Sequence, residues 1–124
     1  MKRLLSAVLT LALLLIFVTP QARAGGQTKG CIALTFDDGP DARYTGALLD
    51  GLRARNIKVS FFLLGEKVEQ NPDLVRRMQE EGHLVGNHTY HHVQLDKLSD
   101  AKAREEILKT NNLIYETTGT YPQY

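Results

Sequence analysis

The chain has 124 residues, a single cysteine and a formal net charge of +1 at pH 7. This length allows one domain at most, and a lone Cys31 excludes an intramolecular disulfide, so we expect it to be a small buried hydrophobe. No basic patch points to nucleic acid or to an anionic membrane surface as a partner.

The first 24 residues have the pattern of a secretory signal peptide. Lys2 and Arg3 precede an apolar run over residues 4–18, and residues 22–24 form an Ala-x-Ala cleavage site. A retained transmembrane anchor is the alternative, but the run is shorter than the roughly 18 to 20 residues that span a bilayer. We therefore expect a secreted or bacterial cell-envelope protein with no membrane span after cleavage.

The next segments alternate between strand and helix patterns. Residues 25–30 form a glycine-rich lead-in, and residues 31–36 are apolar without polar alternation, which is typical of a strand buried in a parallel sheet. Leucines at helical spacing predict a helix over residues 44–55, ended by Asn56. Residues 57–64 are again apolar and rich in β-branched and aromatic side chains, which predicts a second strand.

The remaining segments continue this alternation. Asn71 followed by proline predicts a helix start, and Gly82 its end. A short third strand is predicted over residues 83–87, and Ser99 caps a last helix over residues 100–118. The apolar side chains expected to face inward from that helix are Ala103, Ile107, Leu108, Ile114 and Tyr115. The order indicates βαβ units and a parallel sheet, an α/β fold.

Chemically versatile side chains follow the first and third predicted strands. Asp37 and Asp38 come after the first strand, and Asn87, His88 and His92 come after the third. Because catalytic groups in parallel α/β folds collect at the carboxyl ends of the strands, both sets are expected at one edge of the sheet.

Three of these side chains suit a metal ion. The two histidines are four residues apart, which places both rings on one face if the segment forms a helical turn. Asp38, His88 and His92 would supply the three protein ligands of a catalytic zinc site, and Asp37 could accept the proton of the attacking water. Taken separately, the aspartates also suit a turn, and the histidines a solvated loop.

The chain resembles the NodB-homology polysaccharide deacetylases, carbohydrate esterase family four. Thr-Phe-Asp-Asp-Gly-Pro at residues 35–40 is similar to the first motif of that family, and His-Thr-Tyr-His-His at residues 88–92 to the second. The intervening residues 60–65, 71–75 and 81–88 also look typical of the family. The resemblance extends from about Lys29 to the last residue.

This resemblance implies a distorted (β/α) barrel, of which residues 31–124 would be the first portion with the C-terminal strands missing. It implies a metal-dependent hydrolase that removes acetyl groups from a polysaccharide, acting on carbon–nitrogen but not peptide bonds. Asp37 would be the catalytic base, and Asp38, His88 and His92 the metal ligands. Thr89 would support the ligand geometry. Zinc is the expected metal, with cobalt, manganese and nickel left open.

The substrate that the resemblance implies is an acetylated glycan, with N-acetylglucosamine-containing peptidoglycan or a chitin-like glycan favoured. The chain ends where the third motif of the family would start, before the arginine, oxyanion donor, tryptophan and general-acid histidine of later motifs. We therefore expect a metal site with little activity, and apolar faces left exposed at Ile32, Leu34, Phe61 and Leu63. The alternative is a truncated, inactive metal- or glycan-binding remnant.

Four further residues near the motifs are expected to serve the structure more than the chemistry. His91 occupies a variable position of the second motif and is not expected to bind metal. His83 is expected to pack or to form a hydrogen bond. Tyr90 lines a groove or packs, and Asn87 either orients a ligand or serves the turn.

Overall fold

The computed structural model of the protein describes residues 30–124. The predicted signal peptide, and residues 25–29 of the predicted lead-in, lie outside the described residues. Within the described part, Ile32–Tyr124 form one compact unit.

Three parallel strands form a sheet in the order β1-β2-β3. The elements in chain order are β1 (Thr35–Gly39), α1 (Thr45–Ala54), β2 (Ser60–Leu63), α2 (Gly65–Gln70), α3 (Pro72–Glu80), β3 (Leu84–Asn87), a 3₁₀ turn (Leu95–Lys97) and α4 (Asp100–Thr118). The predicted α/β class and parallel sheet are confirmed. Helix α2 was not predicted, because its six residues are too few to show an apolar period.

The helix ends mostly follow their sequence signals. The Ser99 hydroxyl accepts a hydrogen bond from Lys102 N at the start of α4, as an N-cap should. Asn56, Gly82 and Gly119 have φ angles of 51°, 77° and 74°, the left-handed conformation expected after a helix. Asn71 precedes α3 as predicted, but its side chain donates to Lys67 O instead of capping α3.

The first strand differs from its prediction. It begins at Thr35, and the predicted buried residues before it are exposed, including Cys31 and Ile32, the latter 88% exposed. Because β1 is an outer strand of the described sheet, no second strand flanks it on that side. The expected exposure of Ile32 and Leu34 is confirmed, whereas the expectation of a buried strand over residues 31–36 is wrong.

The core lies around the central strand β2. Phe61 and Leu63 are 2% and 0% exposed, so their predicted exposure is wrong. Phe36 of β1 stacks on Phe61 at a centroid distance of 5.5 Å. Residues from all four helices complete the core: Leu49, Leu52, Val68, Val75, Met78 and Ile114. The side chains of Phe61 and Leu63 in β2 are therefore buried although the described sheet has only three strands.

Helix α4 packs with a different face from the predicted one. Ile114 is buried as expected, but Ile107, Leu108 and Tyr115 are 39%, 47% and 44% exposed. The fully buried Thr110 lies on the packed face instead, and its hydroxyl donates to Glu106 O in the preceding turn. Polar side chains of α4 therefore contact the rest of the fold, which apolar periodicity cannot indicate.

In the part of the chain that the structure describes, no helix combines the length and the apolar character needed to cross a membrane.

The buried imidazole of His83 has a lowered pKa. The residue is 4% exposed, and its ring packs edge-to-face on Phe61 at 5.3 Å and accepts a hydrogen bond from Val59 N at 3.3 Å through Nδ1. Burial, with a smaller contribution from Lys58, lowers the pKa of His83 below its usual value of 6.5. The expected hydrogen-bonding and packing role is confirmed.

We expect the free energy of unfolding to fall as the pH drops below about 6.5. In that range His83 binds a proton in the unfolded chain, whereas in the folded chain its lowered pKa keeps the ring neutral. The contribution of His83 to the slope is at most about 1.4 kcal/mol per pH unit. Urea denaturation of the metal-free protein between pH 5 and 8 measures it. His83→Asn is the matched control, because its side-chain oxygen can still accept from Val59 N without titrating. An equal slope in both proteins would refute this assignment.

Candidate metal centre

A bulge in β1 sets the direction of Asp38. Asp37 pairs with Phe62 and Gly39 with Leu63, so Asp38 is an extra residue without a partner in the register. Its φ angle is 64°, in the left-handed region. Such a bulge interrupts the alternation of a strand and redirects a side chain, and bulges are frequent beside active sites. The side chains of Asp37 and Asp38 therefore need not lie on opposite faces of the sheet, as adjacent side chains of a regular strand do.

The second motif forms a loop that crosses the end of the central strand. Because β2 lies between β1 and β3, the residues that follow β3 must pass over the end of β2 to reach Asp38. Hydrogen bonds mark this crossing: Gly65 N donates to Thr89 O at 3.0 Å, and Glu66 N to Tyr90 O at 3.2 Å. His88 N also donates to Leu63 O at 2.9 Å.

The two histidine rings lie 4.9 Å apart, centroid to centroid, although the segment forms no helical turn, the condition under which the sequence placed them on one face. Residues 88–92 form an irregular loop in which Thr89 and His92 have φ angles of 66° and 59°. A β-branched residue rarely adopts this conformation, and such strain is typical of functional sites. The Thr89 hydroxyl accepts from His92 N at 3.0 Å, which joins the two ends of the strained segment.

Asp38, His88 and His92 come together as predicted. The Asp38 Oδ1 atom lies 3.3 Å from His88 Nε2 and 3.4 Å from His92 Nε2. One ligand atom from each of the three residues lies within 4.8 Å of the others. Tetrahedral zinc with bonds of about 2.0–2.1 Å keeps its ligand atoms about 3.3–3.4 Å apart. The spacing and the donor types therefore fit such an ion.

The group is open to solvent. The side chains of Asp38, His88 and His92 are 56%, 33% and 59% exposed. If these residues bound zinc, three protein ligands on an open face would leave a coordination position for water or substrate, the feature that distinguishes catalytic from structural zinc sites. Asp37 is exposed one residue before the bulge, outside the group of three.

Asn87 anchors the loop. Its Oδ1 accepts from Thr89 N at 2.7 Å, while its Nδ2 donates to Ile107 O at 2.9 Å and to Asn111 Oδ1 at 2.6 Å. The side chain is thus occupied by the loop backbone and by α4. Of the two roles expected from the sequence, these contacts favour the turn.

Tyr90 and His91 lie between the two histidines of the group but do not join it. Tyr90 is buried, its hydroxyl donates to Glu69 Oε2 at 2.5 Å, and Lys109 Nζ lies 3.5 Å from the ring centroid. The packing role is thereby favoured. The His91 ring contacts Glu106 Oε1 through Nδ1 at 2.7 Å. The group of three ligand atoms does not include His91.

Sequence reasoning missed Gly65, the first residue of α2. A Cβ atom at this position would lie 2.4 Å from Tyr90 Cδ2 and 2.5 Å from Thr110 Oγ1, closer than real Cβ atoms approach other atoms. Only glycine therefore lets the loop and α4 close over the end of β2. The glycine directly after a strongly apolar strand was the one available signal for such a close approach.

We expect Gly65→Ala to destabilise the protein by about 1–3 kcal/mol, the usual cost of overpacking, and to weaken metal binding because the loop must move. Thermal melting and zinc titration measure the two effects. Gly46→Ala is the matched control, since a Cβ atom there meets nothing within 4 Å and Gly46 lies in helix α1. Equal stability of the Gly65 and Gly46 variants would contradict the close-approach argument.

Comparison with known proteins decides the family. The sequence profile of the polysaccharide deacetylases matches residues 24–124. The chain belongs to the polysaccharide deacetylase family. The resemblance drawn from the two motifs is confirmed.

Curated relatives of the chain include deacetylases from bacteria. A peptidoglycan-N-acetylglucosamine deacetylase of Bacillus cereus is 44% identical over 103 residues, which cover 83% of this chain and 38% of the relative. A chitooligosaccharide deacetylase of Rhizobium leguminosarum bv. trifolii is 44% identical over 95 residues, 77% of this chain and 44% of the relative. The chain thus spans less than half the length of these relatives.

Solved structures confirm the fold class. The peptidoglycan deacetylase PdaC from Bacillus subtilis matches with a TM-score of 0.74 and 39% identity, over 77% of this chain and 47% of that one. A family 4 acetyl xylan esterase from Clostridium thermocellum in complex with a cobalt ion matches with a TM-score of 0.70 and 38% identity, over 73% and 45%. The described fold corresponds to part of each of these chains.

Proposed function

We propose that this chain carries the metal-binding portion of a metal-dependent deacetylase that removes N-acetyl groups from a glycan. The observation that carries the proposal is the spacing of 3.3 and 3.4 Å between the Asp38 carboxylate and the two imidazoles. Asp38, His88 and His92 would hold a divalent metal, with zinc the expected ion and cobalt, manganese or nickel compatible with the same donors.

The reaction is the hydrolysis of an amide. When bound, a divalent metal supplies Lewis-acid polarisation of the acetyl carbonyl and makes water a better nucleophile at neutral pH. Asp37 accepts the proton that water loses as its oxygen bonds to the acetyl carbon. The carbon–nitrogen bond then breaks, solvent water supplies the proton that the nitrogen takes up, and Asp37 returns its own proton to solvent, so that the products are acetate and a free amine on the glycan.

We propose peptidoglycan or a chitin-like glycan containing N-acetylglucosamine as the substrate. The Bacillus cereus relative, a peptidoglycan-N-acetylglucosamine deacetylase, and the Rhizobium relative, a chitooligosaccharide deacetylase, support this choice, as does the proposed export of the protein. Cleavage of a signal peptide over residues 1–24 would deliver residues 31–124, the proposed partial deacetylase domain, to the cell envelope or the medium. Mass spectrometry of the exported protein tests the export step, and an N-terminus at Gly25 is expected.

Acetate release tests the function as a whole. The protein is incubated with N-acetylated chitooligosaccharide or with peptidoglycan after removal of metal by a chelator, and again after addition of zinc. Release that depends on zinc supports the proposal. Binding of metal or glycan without release of acetate would instead support the alternative, a non-catalytic remnant of such an enzyme.

A further inference from the structure

A single carboxylate from α4 binds the loop between the two histidine ligands. Glu106 Oε2 accepts hydrogen bonds from Tyr90 N at 3.0 Å and from His91 N at 2.8 Å. Its other oxygen, Oε1, contacts His91 Nδ1 at 2.7 Å. The side chain is 13% exposed, so these contacts form largely away from solvent.

The contacts of Glu106 fix the part of the loop that sets the spacing of the ligands. The two amides that it binds belong to the residues between His88 and His92, directly after Thr89, whose backbone is strained. Gly65 N and Glu66 N, at the start of α2, donate hydrogen bonds to the carbonyl oxygens of Thr89 and Tyr90 in the same loop. The loop is thus held between α2 and α4, and Glu106 supplies the side-chain contacts from α4 to its amides.

The ionisation of Glu106 agrees with these contacts. Burial alone would raise the pKa of this carboxyl, but the His91 ring and the amides of His91 and Tyr90 together lower the pKa below its usual value. The carboxylate form, which can accept all three contacts, is therefore the stable form at neutral pH.

We propose that Glu106 is a positioning residue that presets the loop for metal binding. Its carboxylate holds the backbone between His88 and His92 in the conformation that places both imidazoles beside Asp38. This inference rests on the proposed metal centre and adds to it a residue outside both motifs. Partners that orient ligands in this indirect way typically change metal affinity by about 10- to 100-fold when they are removed.

Three variants separate shape from charge at this position. Glu106→Gln keeps the length, and its carbonyl can accept both amides while its NH₂ group donates to His91 Nδ1. Glu106→Asp keeps the charge but withdraws the carboxylate from the amides. Glu106→Ala removes all three contacts. Ile114→Ala is the control for stability, because Ile114 is buried on the same helix and belongs to the core cluster.

The full chain of each variant is titrated with Co²⁺, and both the visible absorption of the bound ion and its affinity in competition with a chelator are recorded. We expect Glu106→Gln to bind within about fivefold of the native chain. Glu106→Ala should bind about 10- to 100-fold more weakly, with an altered spectrum, and Glu106→Asp should lie between them. Ile114→Ala should melt at a lower temperature with an unchanged spectrum.

Native affinity in Glu106→Asp and Glu106→Ala would overturn the inference while leaving the metal centre intact. Equal losses in Glu106→Ala and Ile114→Ala would also overturn it, because the effect would then be one of general stability. If Glu106→Ala fails to fold, the difference between the Gln and Asp variants decides. Failure of the native chain to bind Co²⁺ would overturn the metal centre and this inference together.

Discussion

Replacing His88 with alanine is expected to abolish tight metal binding. His88 is the least exposed of the three proposed ligands, at 33%, and its backbone is tied to Leu63 O at the end of β2. Its removal leaves one carboxylate and one imidazole, too few to hold a catalytic ion firmly. The loss of affinity should exceed the roughly 10- to 100-fold that is typical of residues that only orient a ligand.

Zinc titration of the metal-free protein by calorimetry measures this effect. His91→Ala is the matched control, because it removes an exposed imidazole of the same loop that lies outside the group of three. We expect it to lose about tenfold at most, through its contact with Glu106. Equal losses in the two variants would contradict the assignment of His88 as a ligand.

Replacing Asp37 with asparagine is expected to separate chemistry from metal binding. Asp37 lies outside the group of three and is exposed beside it in sequence, one residue before the bulge at Asp38. An amide cannot accept the proton of the attacking water, so any zinc-dependent acetate release by the native chain should fall by about 10²- to 10⁴-fold, the usual contribution of a general base. Zinc affinity should change little, since all three ligands remain.

The measurement combines acetate release with zinc titration on the same preparations of the full-length protein. Asp41→Asn is the matched control in the same segment, because an asparagine oxygen can still accept from Arg43 N and Tyr44 N as Asp41 Oδ1 does. Its rate should stay within about twofold of the native rate. An Asp37 variant with native activity, or one that loses zinc, would refute the role of base.

The sequence was sufficient to predict that the side chains of Asp38, His88 and His92 lie close together. The carboxyl ends of parallel strands share one edge of a sheet, so Asp38 after β1 and the histidines after β3 could be placed near each other from topology alone. The alternation of strands and helices could also be predicted, because apolar runs and helix-end residues are local signals that can be read along the sequence.

The means by which the site closes could not be predicted, because it depends on contacts between distant segments. Neither the bulge at Asp38 nor the strained backbone at Thr89 has a distinct local signal in the sequence. Gly65 and Glu106 approach the loop that crosses β2 from segments distant in sequence. The face of α4 was wrongly predicted because that loop is held by polar side chains, which a search for apolar periodicity passes over.

Anomalous X-ray diffraction at the zinc absorption edge, from crystals of the zinc-loaded protein, tests the central claim most directly. We expect an anomalous peak within about 2.0–2.2 Å of an Asp38 carboxylate oxygen and of one nitrogen each of His88 and His92, the bond lengths usual for zinc. No peak there after loading, or a peak coordinated without both histidines, would contradict the proposed metal centre and the deacetylase chemistry built on it.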